Sequence, residues 1–288
     1  MESISELKQH LRATAETRQI ANAMYLLSAS RVKRLLKETE YTRSYARKWR
    51  EIMAPIVQSD PETIPKTSLF RERPDLPALV LVISSDKGLC GAYHTGVTGA
   101  TIEALRSMKN PQITVVGEKA AQMLRAKGQA LTKVIGNAAK ERPAVLAKTL
   151  AQDILTAYEN GDCGEVFIIF TEYINTMVQR PVCKRILPFS PADWKDGETA
   201  DNEWILEPDT MTVLETLTSG YLTGVLTDLL TQSAASENTA RMAAMQNATK
   251  NADEMLERLN TQIHTARQLA ITNEITEIAA AAEIGGAV

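Results

Sequence analysis

The segments DTMTVLETLTSGYLTGVLTDLL at 209–230 and RMAAMQNATKNADEMLERLNTQIHTARQLA at 241–270 decide the fold of this chain. Apolar or small residues recur in both at intervals of three and four, which places them on one face of an α-helix. From 209 to 283 the chain has no proline and only two glycines. The pattern predicts one helix with a polar interruption at 231–238, about 110 Å long at 1.5 Å per residue. Such a helix is too long for one compact domain to bury, so it requires a partner helix.

The C-terminal seam that would face this partner is defined by its spacing. Its expected members are Leu214, Leu217, Tyr221, Val225, Leu229, Met242, Met245, Thr249, Ala252, Leu256, Leu259, Ile263, Ala266 and Ala270.

The partner helix is predicted at the other end of the chain. Residues 1–54 contain neither glycine nor proline, and all eleven prolines lie between Pro55 and Pro208. A three–four spacing runs through the N-terminal segment, apolar at its ends and partly polar in the middle. Two long terminal helices that flank one domain are most simply packed as an antiparallel pair. The expected N-terminal seam is Leu7, Leu11, Thr14, Arg18, Ala21, Tyr25, Ser28, Val32, Leu35, Thr39, Thr42, Ala46, Trp49, Met53 and Ile56.

Charge is distributed unevenly over these two segments. The whole chain carries −3, but residues 1–54 hold eleven Lys/Arg against six Asp/Glu, and residues 209–288 hold four against ten. Opposite charges favour pairing of the two helices, although exposed ion pairs contribute only about 0–1 kcal/mol each. Apolar burial along the seam must therefore supply most of the stabilisation.

The segment between the helices predicts a small, Rossmann-like α/β domain. Buried-strand patterns at 78–85, 113–116 and 166–171 alternate with helical patterns at 92–109, 118–127 and 143–159, which is typical of a mostly parallel sheet. A further strand at 182–187 is expected to pair with the third strand at the edge of the sheet. The predicted organisation is an N-terminal helix at 1–56, a linker at 57–77, an α/β domain at 78–208 and a C-terminal helix at 209–288.

Candidate chemistry is sparse. The Gly-x-x-Gly turn at 88–91 lacks the further residues of a phosphate-binding loop. Cys90 has only His94 as a local general base, so a catalytic dyad is a weak reading of this turn. Three dispersed histidines give no metal spacing. We therefore expect no catalytic residue, no cofactor and no metal site in this chain.

Composition also limits the compartment and the partners. Three cysteines at unrelated spacings are typical of reduced thiols in the cytosol. We find no signal peptide and no apolar run of 18 residues, and expect neither export nor direct membrane insertion. The N-terminal cations are mixed with Glu and lack interleaved aromatics, so no nucleic-acid partner is expected.

Four blocks of the sequence closely resemble the gamma subunit of F-type ATP synthases. They are TRQIANAMYLLSASRVK at 17–33, SSDKGLCGAY at 84–93, ASENTARMAAMQNATKNA at 235–252 and ARQLAITNEITEI at 266–278. The blocks occur in the family's order and over nearly its full length. The resemblance implies a central-stalk rotor shaft in which the two terminal helices form an asymmetric antiparallel coiled coil.

The same resemblance implies the shaft's partners and place. Its coiled coil would turn inside a hexamer of alpha and beta subunits, and its α/β domain would meet the epsilon subunit and the c ring at the cytoplasmic face of the cell membrane. Ion flow through the ring would turn the shaft, which would drive each beta subunit through its catalytic states while making and breaking no bond itself. Whether protons or sodium ions flow is decided on other subunits.

The resemblance also implies contact residues. Arg267 and Gln268 match a pair that binds a beta-subunit loop, and Arg241 and Met24 match residues near the acidic hinge of a beta subunit. Lys87 and Cys90 match the turn that faces the lower end of the beta subunits. Glu207 matches a position of the foot near the c ring. The sequence departs from the family at Glu16, Ala21, Asn22 and His94, where Asn22 replaces a lysine and His94 replaces an asparagine.

Two alternatives stay open from the residues alone. One is a coiled-coil binding module on an α/β domain, acting as a nucleic-acid or protein scaffold. The other is a cysteine-dependent hydrolase that uses Cys90.

Overall fold

The computed structural model describes residues 3–59, 69–137, 141–190, 194, 206–207 and 209–285. The chain forms two long terminal helices and, between them, a sheet with three helices. The elements are α1 Ile4–Ser59, β1 Ala78–Ile83, α2 Tyr93–Leu105, β2 Gln112–Val116, α3 Glu118–Ala126, β3 Lys133–Ile135, α4 Pro143–Glu159, β4 Glu165–Tyr173, β5 Gln179–Leu187 and α5 Thr210–Gly285.

Both long helices begin at side-chain caps. At the start of α1, the Ser3 backbone N–H donates to Glu6 Oε2 at 2.8 Å, and the Glu6 N–H donates to Ser3 Oγ at 3.2 Å. This reciprocal pair is a capping box, which satisfies two N–H groups that the first turn leaves without partners. At the start of α5, Asp209 accepts hydrogen bonds from the Thr212 N–H at 3.0 Å and from the Thr212 hydroxyl at 2.7 Å.

Helix α1 continues beyond the position where the sequence indicated its end. The linker was expected to begin at residue 57, but α1 extends to Ser59 with Pro55 inside it. A proline inside a helix costs about 3 kcal/mol through a lost hydrogen bond and a steric clash. The buried side chains of Met53, Ile56 and Val57 offset this cost, since each fully buried aliphatic side chain contributes about 1.5–3 kcal/mol.

The sheet has five strands in the order β3-β2-β1-β4-β5. Strand β1 pairs in parallel with β2 and β4, β2 pairs in parallel with β3, and β4 pairs antiparallel with β5. The mostly parallel α/β fold is therefore confirmed, and β5 pairs with β4 at the edge of the sheet as expected. The three-residue strand β3 was not predicted from the sequence. Helix α2 was expected to end near residue 109, but it ends at Leu105.

The sheet has a separate apolar layer on each face. Val80 and Val82 of β1 pack in a cluster that includes residues of α2 and α3. Leu81 and Ile83 point to the other face and join a cluster formed by α4 and parts of both long helices. Successive residues of a strand point to opposite faces, so β1 contributes to both layers.

The described chain divides into two compact units. One comprises residues 1–28 and 241–288, and the other comprises residues 29–240. Each unit contains an antiparallel helix pair: in the first, Arg18 lies beside Asp253, and in the second, Trp49 lies on Gly220.

Nearly all of the predicted seam positions are at least half-buried. Among the N-terminal seam residues only Arg18 is exposed, and it forms an ion pair with Asp253. Among the C-terminal seam residues only Ala270 is exposed. The three–four spacing therefore identified the buried faces of both helices.

Candidate partner-contact surfaces

The C-terminal end of α5 presents a largely exposed surface in the first unit. Leu259 is the last buried residue of this helix in the region where side chains are described, and every position from 267 to 279 is exposed. Arg267 and Gln268 lie at the beginning of this exposed run. Three large apolar side chains at i, i+4 and i+7 spacing follow on one face: Ile271, Ile275 and Ile278. Contiguous exposed apolar surface of this kind marks an interaction site.

A groove lies beside this exposed run. It has a volume of about 840 Å³ and is lined by Leu7 of α1 together with Glu257, Arg258, Thr261, Gln262, Thr265, Ala266 and Leu269 of α5.

Met24 lies in an apolar part of α1 within the same unit. It is half-buried, while Ile20, Leu26 and Leu27 are exposed around it. Arg18 extends from a neighbouring turn to Asp253 on α5. Met24 is therefore positioned so that a partner could touch both the methionine and its exposed apolar neighbours.

Arg241 is placed differently from the other predicted contact residues. Its side chain is only 3% exposed, so it is held within the chain rather than presented at its surface. A buried guanidinium is retained only when its charge and donors are compensated. Its position favours a structural role for Arg241 in the chain itself.

In the second unit, the turn after β1 presents a short exposed segment. Lys87 is exposed, and Leu89 is 62% exposed with a φ of +61°. Cys90 is only 2% exposed. A partner can therefore contact the Lys87 and Leu89 side chains, whereas the Cys90 side chain is buried.

His94 is not a general base for Cys90. Its Nε2 lies 3.0 Å from the Lys87 carbonyl oxygen and its Nδ1 lies 3.0 Å from Ser84 Oγ. The Cys90 Sγ is directed instead to the Lys87 carbonyl oxygen, at 3.9 Å. Both ring nitrogens thus have hydrogen-bond partners other than the thiol, which disfavours the hydrolase alternative.

Glu207, the predicted foot residue, is exposed. It lies shortly before α5, and Pro208 beside it is outside the described residues.

The polar stretch at 231–238 docks α5 onto the sheet of the second unit. Ser233 Oγ accepts a hydrogen bond from the Thr171 N–H at 3.1 Å, and Ser236 Oγ donates to the Thr171 carbonyl oxygen at 3.2 Å. Six of these eight residues are buried. The stretch that interrupts the apolar seam therefore satisfies backbone groups of β4.

A buried carboxylate near this stretch was not identified from the sequence. Asp228 Oδ1 accepts from the Thr42 hydroxyl at 2.9 Å, and its Oδ2 accepts from Gln232 Nε2 at 2.6 Å. Burial raises the pKa of Asp228, and the two hydrogen bonds partly oppose this shift. The only indication of this buried carboxylate in the sequence is that Asp228 stands among the apolar residues of α5.

The described residues contain neither a metal-ligand cluster nor a membrane-spanning helix. Among them, no three His, Cys, Asp or Glu side chains are grouped so that they could hold a metal ion. None of the described helical stretches combines the length and apolarity that a membrane span requires.

Comparison with known proteins extends over nearly the whole chain. A family model described as ATP synthase matches residues 3–284. The chain is 34% identical over 278 residues to the ATP synthase gamma chain of Caldicellulosiruptor saccharolyticus, which covers 94% of this chain and 95% of that relative. It is 31% identical over 290 residues to the ATP synthase gamma chain of Desulfitobacterium hafniense, with 100% and 99% covered.

Solved structures share the fold. A chain of the Euglena gracilis mitochondrial ATP synthase, in a structure of OSCP, F1 and c-ring, matches with a TM-score of 0.69 at 19% identity, covering 99% of this chain and 96% of that one. A chain of the Tetrahymena thermophila central stalk and c-ring matches with a TM-score of 0.62 at 24% identity, covering 80% and 99%. None of these similarities favours the scaffold or hydrolase alternatives.

Proposed function

This chain belongs to the ATP synthase gamma-chain family, and from that premise we propose that it turns as the central-stalk shaft of an F-type ATP synthase. The observation that carries the proposal is the match to gamma chains from end to end, in a chain whose terminal helices pair along the seam that its sequence predicts. The proposed partners are the alpha and beta subunits, the epsilon subunit and the c ring. The proposed place is the cytoplasmic face of the cell membrane, without insertion into it.

The shaft would act as a mechanical effector rather than as an enzyme. Different faces of the helix pair carry different side chains, so a beta subunit would meet different contacts as the shaft turns. A ligand shifts a conformational equilibrium only through its differential interactions with the two states. Rotation would supply such differences to each catalytic site in turn, while this chain holds no substrate.

Five exposed or half-buried residues are the proposed contacts. Arg267, Gln268 and Met24 would meet the beta subunits in the first unit, Lys87 would meet their lower end, and Glu207 would lie near the c ring. The exposure of each side chain supports these roles. For Arg241 and Cys90 we propose support of neighbouring structure instead, because both side chains are buried.

Co-assembly tests the proposal directly. The tagged chain, expressed with the alpha and beta subunits of the same organism, should yield a complex with ATPase activity. Failure to co-purify with both subunits would refute the proposed function.

The Arg267 and Gln268 contact has a matched control on the same helix. Arg267→Ala with Gln268→Ala should reduce coupled ATP synthesis in membrane vesicles about tenfold, because each loses hydrogen bonds to a partner. Lys250→Ala with Gln246→Ala removes the same kinds of exposed side chain elsewhere on α5 and should leave the rate within twofold of wild type. Equal rates for both double variants would remove Arg267 and Gln268 from the contact.

A further inference from the structure

Helix α5 contacts the sheet at the point where open α/β sheets commonly bind their ligands. Strands β2 and β3 follow on one side of β1, and β4 and β5 lie on the other. Ligand crevices form where the strand order reverses in this way, beyond the carboxyl ends of the strands. In this chain that point lies between β1 and β4. The polar stretch of α5 at 231–238 reaches it through hydrogen bonds to Thr171, near the end of β4.

The backbone of Thr171 bonds to α5 where the neighbouring strands supply no partner. Thr171 stands two residues beyond Ile169, the last residue of β4 that pairs with β1. On its other side it lies opposite Pro181 of β5, whose nitrogen has no hydrogen to donate. Thr171 is 3% exposed, and a buried backbone group without a partner is costly. The hydroxyls of Ser233 and Ser236 supply those partners, at 3.1 and 3.2 Å.

The two serines define the position of α5 closely. Residues three apart lie on one face of a helix, and Ser233 and Ser236 are both almost completely buried. One accepts from the N–H of Thr171 and the other donates to its carbonyl oxygen. Hydrogen bonds weaken steeply with distance and angle, whereas apolar contacts have no preferred direction. This pair therefore resists both rotation of α5 about its axis and sliding along it.

Further polar groups surround this contact. Asp228 of α5 accepts a hydrogen bond from the Thr42 hydroxyl of α1 at 2.9 Å. Tyr93 of α2 is buried, with its hydroxyl close to Ser233 and Thr171. Burial raises the pKa of Tyr93, so this hydroxyl keeps its proton. Polar groups of α1, α2 and β4 thus approach one short part of α5.

We propose that Thr171, Ser233 and Ser236 form a torque joint, which transmits force from the α/β domain to α5. Resting on the proposed function, the α/β domain receives the turning force of the c ring, and α5 must follow it without slipping. The two serines are positioning residues, because they act by fixing α5 on the sheet. Without them the α/β domain would move against α5 under load while both stay folded.

Hydrogen exchange at the Thr171 amide reports opening of the torque joint. Ser233→Ala removes the acceptor of this N–H. In the isolated full-length chain, its exchange rate should rise about tenfold, because a buried hydrogen bond is lost and its donor is left unpaired. Ser236→Ala removes only the donor to the carbonyl oxygen and should raise the rate less. A Thr171 amide that exchanges at the wild-type rate in both variants would overturn the torque joint.

Two buried threonines of α5 provide a matched control. The Thr218 hydroxyl donates to the Leu214 carbonyl oxygen at 2.7 Å, and the Thr239 hydroxyl donates to the Ala235 carbonyl oxygen at 2.8 Å. Both bonds stay within α5. Thr218→Val with Thr239→Val removes two buried hydroxyls while nearly keeping the shape of the side chains. This double variant should have a lower melting temperature than wild type but the same exchange rate at Thr171.

The assembled complex tests the functional role through two activities. In membrane vesicles the α/β domain works against the c ring, so Ser233→Ala with Ser236→Ala should reduce coupled ATP synthesis about threefold. In the complex detached from the membrane the α/β domain turns without load. ATP hydrolysis by that complex should therefore stay within about twofold of wild type. The threonine double variant should keep the wild-type ratio of synthesis to hydrolysis.

The outcomes separate the torque joint from the proposed function. A ratio of synthesis to hydrolysis that falls only in the serine double variant supports the torque joint. A ratio that is unchanged in it, or that falls equally in both double variants, overturns the torque joint. A wild-type chain that does not assemble with alpha and beta subunits refutes the proposed function instead. The exchange rates of the isolated chain then still decide whether the serines fix α5 on the sheet.

Discussion

Replacement of Gly220 by alanine tests how closely α1 and α5 pack in the second unit. A Cβ atom at Gly220 would lie 2.5 Å from Cζ2 and 2.8 Å from Cζ3 of Trp49, and closer still to Cη2. At Gly224, one turn later, a Cβ atom would lie 3.1 Å from Trp49 Cδ1 and 3.3 Å from Tyr45 Cε1. The same substitution therefore meets a severe clash at one position and a tight contact at the other.

Two opposing terms set the size of the effect. Glycine to alanine inside a helix gains about 1 kcal/mol from helix propensity. Overpacking a close contact costs about 1–3 kcal/mol, and more when rigid groups must move. The indole of Trp49 is rigid, so Gly220→Ala should lower the free energy of unfolding by about 1–2 kcal/mol. Gly224→Ala requires shifts of only a few tenths of an ångström and should be neutral or stabilising by up to about 0.5 kcal/mol.

Gly220→Ala and Gly224→Ala change helix propensity equally, so their free energies of unfolding should differ by about 2 kcal/mol through packing alone. Urea unfolding followed by circular dichroism at 222 nm measures this difference. A double-mutant cycle then assigns it to Trp49. With Trp49→Ala the space above Gly220 is open, so adding Gly220→Ala should stabilise the helix by about 1 kcal/mol. The indole Nε1 has no hydrogen-bond partner in the described part of the chain, so packing is the main interaction that the cycle removes.

Two results would refute this reasoning. One is equal stability of Gly220→Ala and Gly224→Ala. The other is an undiminished cost of Gly220→Ala in the Trp49→Ala background, because the clash would then lie elsewhere.

Three further predictions concern single side chains. Burial raises the pKa of Asp228, so folding favours its protonated form and stability should fall as the pH rises above about 4; Asp228→Asn should lack this decline, and its urea midpoint at pH 7 should be no lower than that of wild type. At Gly117, where φ is +99°, a Cβ atom would lie 2.5 Å from the Ser85 backbone nitrogen. Gly117→Ala should therefore lower the free energy of unfolding, measured in urea, by at least about 3 kcal/mol. Gly128 has a positive φ but open space around it, so Gly128→Ala should lower it by only about 1–2 kcal/mol. Asp253→Asn, which breaks the exposed pair with Arg18, should cost no more than about 1 kcal/mol and less at 1 M salt; a larger cost would indicate a role beyond this pair.

The sequence predicted the parts of the fold that depend on periodicity. The spacing of apolar residues identified both buried helix faces, because a helix of 3.6 residues per turn brings those positions to one side whatever lies opposite. Strands β1, β2 and β4 were equally clear, since strands covered on both faces are continuous aliphatic runs. The three residues of β3 were too few to show a period.

Features that depend on tertiary partners were misread or missed. Pro55 is a strong local signal for the end of a helix, and the linker was therefore expected from residue 57. Val57 stays helical because it is buried in the core. His94 was considered as a base for Cys90, because sequence proximity does not show which way a ring points. Local pattern cannot supply the Ser84 hydroxyl and the Lys87 carbonyl that hold the ring.

The register of α1 against α5 shows why these partner-dependent features matter for a shaft. A seam of repeated apolar residues is satisfied nearly as well after a slip of one helical turn, so burial alone leaves the register weakly defined. A slip in one direction would bring Trp49 from Gly220 to Thr216, where a β-branched side chain fills the space that the indole needs. A slip in the other direction would bring Tyr45 from Gly224 to the level of Asp228, and would remove the hydrogen bond from Thr42 to that buried carboxylate. Glycine and aspartate are unfavourable in a helix interior by propensity alone. Here the glycine opposes the first slip, and the loss of the hydrogen bond from Thr42 to Asp228 opposes both. A helix pair that transmits torque under the proposed function needs this property, because load along the seam would otherwise be released by sliding.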